Sequence, residues 1–109
     1  MTFEEYQERA KITAKYPAIG GSWVYPTLGL ANEAGEVAGK VKKAFRDDGG
    51  KMTATRLADI QKELGDVLWY ISALCTELGI TLEETADINL TKLAGRAARG
   101  TINGDGDNR

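Results

Sequence analysis

The longest apolar stripe of the chain runs from Leu57 to Leu78, with apolar residues recurring every three or four positions. This is the period of one face of an α-helix, whereas a half-buried strand alternates with a period of two. Three further segments show the helical period, and none of useful length alternates as a strand does. The sequence therefore predicts an all-α fold of about four helices, and the short connections favour antiparallel neighbours in a four-helix bundle-like core.

Capping and breaking residues place the ends of the predicted helices. Thr2 and Thr81 are each followed three residues later by glutamate, which is the spacing of a capping box, and Thr53 is a suitable N-cap. Glycine and proline interrupt the pattern between residues 17 and 26. The helices are expected over 3–16, 27–46, 54–78 and 82–99. One domain is expected over residues 1–99, followed by a Gly/Asp-rich tail over residues 100–109 that lacks periodicity.

Composition excludes several classes of protein. The net charge is −2, so no overall positive field favours a nucleic-acid polymer as partner. No apolar run approaches the roughly 18 to 20 residues that a membrane span needs. Cys75 is the single cysteine and the N-terminus does not resemble a signal peptide, so we expect a cytoplasmic protein without a disulfide framework.

The chain contains no histidine. Catalytic triads built on imidazole, zinc sites that use histidine and the Glu-x-x-His sites of di-iron bundles are therefore excluded. Any bound metal must be held by oxygen ligands, which favour Mg²⁺, Mn²⁺ or Ca²⁺.

One acidic phrase occurs twice, as Glu33-Ala-Gly-Glu36-Val and Glu63-Leu-Gly-Asp66-Val. Acids three residues apart share a helix face, so two such helices packed antiparallel would bring four carboxylates together. A cation has to offset their repulsion, and Mg²⁺ held by carboxylates and water is the simplest candidate. Most Glu-x-x-Glu pairs belong to solvated helix faces. Here the duplication and the position beside the core stripe favour a metal site.

Five glycines fall inside the predicted helices, where each costs about 1 kcal/mol relative to alanine. They are Gly29, Gly35, Gly39, Gly65 and Gly95. Gly35 and Gly65 occupy equivalent positions inside the two acidic phrases. We expect the missing side chain there to let helices or a ligand approach closely.

A metal ion held by oxygen ligands, in a site without a nucleophilic side chain, indicates hydrolysis of a phosphate anhydride or ester by an activated water. Lys92 and Arg96 lie one turn apart on the last helix and could hold phosphate oxygens. Tyr70 follows the second acidic phrase by one turn and could donate a hydrogen bond to a phosphate. Trp23 lies in a Gly/Pro loop and could stack on a nucleobase, although anchoring the loop to the core is the more common role.

Three segments carry a resemblance to a known family: Leu28 to Val37, Lys62 to Tyr70, and Gly79 to Glu84 with Asn89 to Arg96. They resemble the MazG-like nucleotide pyrophosphohydrolases of the all-α NTP pyrophosphatase superfamily, and the resemblance covers nearly the whole chain. It implies a homodimer or homotetramer that cleaves an NTP or dNTP between the α and β phosphates, giving the monophosphate and pyrophosphate. Mg²⁺ is the implied cofactor, with Mn²⁺ as a possible substitute, and the implied role is housecleaning of the nucleotide pool.

The resemblance also implies roles for individual residues. The implied metal ligands are the four acids of the repeated phrase, Glu33, Glu36, Glu63 and Asp66. One glutamate, Glu36 or Glu33, would also polarise the attacking water. The implied contacts to phosphates or sugar are Tyr70, Asn89, Lys92 and Arg96. Asn32 stands where many relatives have a further glutamate, and the tail replaces the short aromatic ending of other members.

Two other functions are compatible with these residues. A non-catalytic helical module that binds nucleotide or a partner helix would use the amphipathic helices without the acids. A phosphohydrolase acting on dUTP or on other diphosphates would share the metal site but have a different base pocket. Saturable Mg²⁺ binding that is lost on Glu36→Gln would favour an enzyme over the module.

Overall fold

The computed structural model describes residues 1–109 and contains four α-helices and no strand. Helix α1 spans Phe3–Ala10 and is followed by a single 3-10 turn over Lys11–Thr13. The other three helices are α2 over Val24–Asp47, α3 over Ala54–Glu77 and α4 over Leu82–Arg99. The predicted all-α class is therefore confirmed. None of these helices is long and apolar enough to cross a membrane.

Threonine caps three of the four helices, at the positions that the sequence predicts. The hydroxyls of Thr2, Thr53 and Thr81 each accept a hydrogen bond from the backbone N–H three residues later, at 3.0 to 3.1 Å. Each bond satisfies one of the N–H groups that a helix start leaves without a partner. Helix α4 ends at Arg99 and is capped by Gly100, whose φ of 70° is in the left-handed region that glycine tolerates best.

The first two helices differ from their predicted ranges. The predicted helix 3–16 ends at Ala10, and the chain tightens into the 3-10 turn, which is common at helix ends. Helix α2 starts at Val24, before the predicted residue 27. Pro26, which predicted a break, lies in the first turn of α2, where a missing N–H costs no intrahelical hydrogen bond.

Helices α2 and α3 form a helical hairpin, and α1 packs against α3 and α4. The buried side chain of Gln7 joins α1 to the connection between α3 and α4. Its amide nitrogen donates to the Thr76 hydroxyl and the Ile80 carbonyl, both at 3.1 Å, and its oxygen accepts from the Leu82 N–H at 2.9 Å. One side chain thus fixes the start of α4 relative to α1.

The single chain leaves much of its apolar surface exposed. Only nine of its 109 residues are buried. Its accessible surface is 7619 Å², whereas the area expected for a compact monomer of this mass is about 5,900 Å². The radius of gyration is 16.8 Å, against about 13 Å for a compact domain of this length. Leu57, Leu64 and Leu78 of the predicted stripe are each more than half exposed. The chain alone is therefore an open helical arrangement.

Gly29 is the helical glycine that a close approach requires. The Tyr70 ring of α3 lies directly against the backbone at Gly29, so a Cβ there would overlap the ring. Around Gly35 and Gly65, no atom beyond the neighbouring residues and the local helix backbone lies within 4 Å of the position that a Cβ would take. The expectation that these two glycines let helices approach is therefore wrong within one chain.

Candidate functional site

The two acidic phrases meet across the α2–α3 hairpin. Carboxylate oxygens of Glu33, Glu63 and Asp66 all lie within 4.8 Å of one another. Glu33 comes from α2 and the other two from α3, so the pairing of the helices brings them together. Glu33 and Glu63 are half-buried and Asp66 is exposed. These three residues are called the acidic cluster below.

Glu36, the fourth predicted metal ligand, lies outside the acidic cluster and is exposed. It follows Glu33 by one turn of α2, and its negative charge is one of the causes that raise the pKa of Glu33. The structure thus brings together three of the four predicted ligands and leaves the fourth beside them.

Burial and neighbouring negative charges determine the electrostatics of the acidic cluster. Desolvation raises the pKa of Glu33, and the charge of Asp66 together with a hydrogen bond and charge from Glu63 raise it further. None of the five ion pairs of the chain involves these three acids. Because no cationic side chain pairs with it, the cluster is an environment in which a divalent cation is stabilising.

Replacing Glu33 with glutamine should stabilise the metal-free protein at neutral and alkaline pH. The pKa of Glu33 is higher in the folded state than in the unfolded state, so folding takes up protons. The free energy of unfolding therefore falls as the pH rises from the unfolded-state pKa through the folded-state pKa. Glu33→Gln removes this loss. In EDTA at pH 8 we expect the thermal midpoint to rise by roughly 2 to 6 °C, measured by circular dichroism. At pH 4 the rise in thermal midpoint should vanish, because the glutamate of the wild type is then neutral like the glutamine of the variant. An equal rise at both pH values would contradict the prediction.

Four aromatic rings form a continuous wall that reaches the acidic cluster. Tyr16 stacks on Tyr25 with ring centroids 5.5 Å apart, and Trp69 meets Tyr16 and Tyr70 edge to face at 6.2 and 5.0 Å. Tyr70 lies at the acidic end of the wall. Burial raises its pKa, as do Tyr25 and the charges of Glu33 and Asp66.

Polar bonds hold the wall in place at its other end. The Tyr16 hydroxyl donates to Glu77 at 2.7 Å, and burial together with this bond raises the Tyr16 pKa to about 12. The Trp69 indole N–H donates to the Thr13 hydroxyl at 3.1 Å. Tyr70 is the member of the wall that the sequence pattern singles out, whereas Tyr16, at the end of a predicted helix, has no fixed spacing to it.

An open cleft of about 210 Å³ lies between this wall and α2. Its lining residues are Tyr25, Leu28, Gly29, Asn32 and Tyr70. Two larger clefts, of about 370 and 380 Å³, surround Met1 and Tyr6, and no residue of the acidic cluster lines any of the three clefts. The charges of Glu33 and Asp66 help to raise the pKa of Tyr70, which lines the small cleft, so this cleft lies near the acidic cluster. The small cleft is therefore the better candidate for a substrate group next to the acids.

Lys92 and Arg96 meet around a residue of the tail. The Arg96 side chain, only 5% exposed, donates to the Asp107 carbonyl at 2.7 Å and to its carboxylate at 3.3 Å. The Lys92 ammonium lies 3.1 Å from the same carboxylate. Neither cation pairs with the acidic cluster within the chain. The structure thus joins these two predicted contacts to each other and to Asp107.

The remaining two predicted contacts are exposed. Asn89 lies on the surface of α4 and its side chain makes no hydrogen bond. Trp23, 51% exposed, precedes α2 and lies close to Gly21 outside the aromatic wall. Within one chain, neither residue is brought to the acidic cluster by a contact.

Comparison with known proteins adds a family and a relative. The family model of the MazG nucleotide pyrophosphohydrolase domain matches residues 26–100. The chain is also similar to the "Gene 37 protein" of Mycobacterium phage L5, with 45% identity over 114 aligned residues that cover 100% of both chains. No solved structure matches the chain. The residues matched by the family model include both acidic phrases, Lys92 and Arg96, and end before the last nine residues of the tail.

Proposed function

Since the chain belongs to the MazG nucleotide pyrophosphohydrolase family, we propose that it hydrolyses nucleoside triphosphates, NTPs or dNTPs, between the α and β phosphates. The products are a nucleoside monophosphate and pyrophosphate, and the role is housecleaning of the nucleotide pool in the cytoplasm. The acidic cluster carries this proposal, because carboxylates from both repeated phrases lie within 4.8 Å of one another. A non-catalytic module has no use for such a concentration of uncompensated negative charge.

The donor set of the acidic cluster fits Mg²⁺, with Mn²⁺ as a substitute. All of its ligand atoms are carboxylate oxygens, which hard divalent cations prefer. Glu33, Glu63 and Asp66 would hold the cation. When bound, the cation neutralises negative charge on the phosphates and makes the phosphorus more electrophilic.

The remaining roles, which are to accept a proton from water and to bind the substrate, fall to other residues of the chain. Glu36 lies beside the cluster without belonging to it, so its carboxylate is free to accept a proton from the attacking water. Glu33 is the second candidate for this role. The Tyr70 hydroxyl can position a phosphate oxygen or the sugar. Lys92 and Arg96 supply positive charge for the phosphates, and Asn89 and Trp23 are further substrate contacts.

Product analysis tests the proposed reaction. A panel of canonical and damaged NTPs and dNTPs is incubated with the protein in Mg²⁺ and in EDTA, and pyrophosphate and orthophosphate are measured separately. We expect pyrophosphate in Mg²⁺, none in EDTA, and recovery on adding Mn²⁺. Release of orthophosphate alone would reject cleavage between the α and β phosphates. Absence of both nucleotide hydrolysis and saturable Mg²⁺ binding would favour the non-catalytic module.

We also propose that the chain works as a homodimer or homotetramer, in which a second copy completes the helical bundle. Its accessible area of 7619 Å² exceeds that of a compact monomer by about 1,700 Å², and an obligate interface buries about 1,000 to 2,500 Å² per chain. The open space around Gly35, Gly39 and Gly65 also lets another chain approach closely.

Light scattering after size exclusion should therefore give two or four times the chain mass of 11.8 kDa. Leu64→Glu, which places a charge on an exposed apolar face of α3, should shift the protein towards the monomer and lower its thermal midpoint by roughly 10 °C or more. Glu83→Gln on α4 provides a control that should leave the mass unchanged. A monomeric wild-type protein at 100 µM would contradict the proposal.

A further inference from the structure

The last nine residues, 101–109, fold back onto α4 and are called the C-terminal segment below. The Arg109 guanidinium closes this segment on itself by donating to the carbonyls of Thr101, Ile102 and Gly106. Arg99 of α4 donates to the Arg109 carbonyl at 2.8 Å. The segment therefore has a defined path that returns its far end to the helix.

This path places the Asp107 carboxylate between Lys92 and Arg96. The distances are 3.1 Å to the Lys92 ammonium and 3.3 Å to the Arg96 guanidinium. Hydrogen bonds from these two side chains hold the pKa of Asp107 below its ordinary value, so its carboxylate is charged at neutral pH. Lys92 and Arg96 lie one helical turn apart and hold an anion between them. Two cations placed in this way can also bind a phosphate.

Asp107 uses the Arg96 guanidinium incompletely. The Arg96 side chain bonds the segment through one terminal nitrogen, and its Nε is buried without any hydrogen-bond partner. A guanidinium presents two parallel N–H groups that match two oxygens of one phosphate. A phosphate in place of Asp107 could therefore satisfy the nitrogen that the segment leaves unpaired.

The Asp107 side chain is 82% exposed, so its ion pair with Lys92 faces solvent, whereas Arg96 on its other side is buried. Ion pairs that face solvent are weak and are screened by salt. The residues matched by the family model end at residue 100, so the segment is an addition to the matched domain.

From these contacts we propose that the C-terminal segment is autoinhibitory: Asp107 occupies the anion site formed by Lys92 and Arg96 and competes there with a phosphate group of the substrate. This inference rests on the proposed function, because it takes both cations as phosphate contacts. The substrate gains access when the segment moves away from α4. While it lies against α4, the segment lowers the affinity for nucleotide, and it takes no part in the reaction.

Asp107→Asn tests the competition, with Asp105→Asn as a matched control. Asp105 lies two residues away in the same segment, is exposed and forms no ion pair. We expect Asp107→Asn to lower KM for the triphosphate by about three- to tenfold with kcat within twofold. The control variant should behave as the wild type does. An unchanged or higher KM in Asp107→Asn would overturn the proposal.

A binding experiment separates this proposal from the proposed reaction. Inorganic pyrophosphate is titrated calorimetrically into both variants and the wild type, and amide hydrogen exchange of residues 101–109 is followed in parallel. Asp107→Asn should bind pyrophosphate about three- to tenfold more tightly, and pyrophosphate should speed exchange in the wild-type segment. These results would support the competition even if the wild type hydrolysed no triphosphate. Equal affinities, or exchange that pyrophosphate does not change, would overturn it.

Discussion

Glu63→Gln and Asp66→Asn should each lower Mg²⁺-dependent turnover by about a thousandfold or more while leaving the helical content unchanged. Each substitution keeps the shape of the side chain and removes its negative charge. The acidic cluster then retains two charged carboxylates instead of three. The measurement is the initial rate of pyrophosphate release, with circular dichroism to check the fold.

Asp59→Asn is the matched control for this pair. Asp59 lies on α3, one turn before Glu63, and outside the acidic cluster. Its substitution should change the rate less than twofold. If Glu63→Gln or Asp66→Asn kept most of the wild-type rate, the altered residue would not be a metal ligand.

Arg96→Gln should reduce kcat/KM for the triphosphate by about a hundredfold or more, since it removes two N–H groups that could bond phosphate oxygens at about 1.5 to 3 kcal/mol each. Lys92→Gln should cost only about tenfold, because an ammonium acts as a single point of charge. Initial rates over a range of substrate concentrations give both values.

Two further variants separate binding from folding at this site. Arg96 is buried, so thermal melts must show that Arg96→Gln still folds, and Arg96→Lys keeps the charge while losing the planar fork. Arg46→Gln is the control, because Arg46 pairs in solvent with its neighbour Asp47. An Arg96→Gln protein that folds and works within threefold of the wild type would remove Arg96 from the substrate site.

Local rules predicted most of the secondary structure and much of the acidic site. The threonine caps follow from side chains that bond N–H groups a few residues away, which is information contained in a short stretch of sequence. Glu33, Glu63 and Asp66 come together because helical period and hairpin packing place their faces opposite each other. Glu36 was predicted in the same group, but i to i+3 spacing defines a shared face and does not fix where a long side chain points.

Long-range contacts were the part that the sequence did not reveal. The tail was predicted as an aperiodic segment, and its return to Lys92 and Arg96 depends on ion pairs that have no periodic signature. Gly29 was recognised as costly in a helix, yet only the position of the Tyr70 ring shows why it is needed. Periodicity also identified the apolar stripe of α3, although Leu57, Leu64 and Leu78 remain exposed in the single chain.

The small interior of the isolated chain has a consequence for how the protein is controlled. With nine buried residues, a chain that forms the proposed homodimer or homotetramer should gain stability by mass action, so that unfolding becomes harder as the protein concentration rises. Dilution would then inactivate the protein, and newly synthesised chains would stay inactive until their concentration was high enough for them to associate.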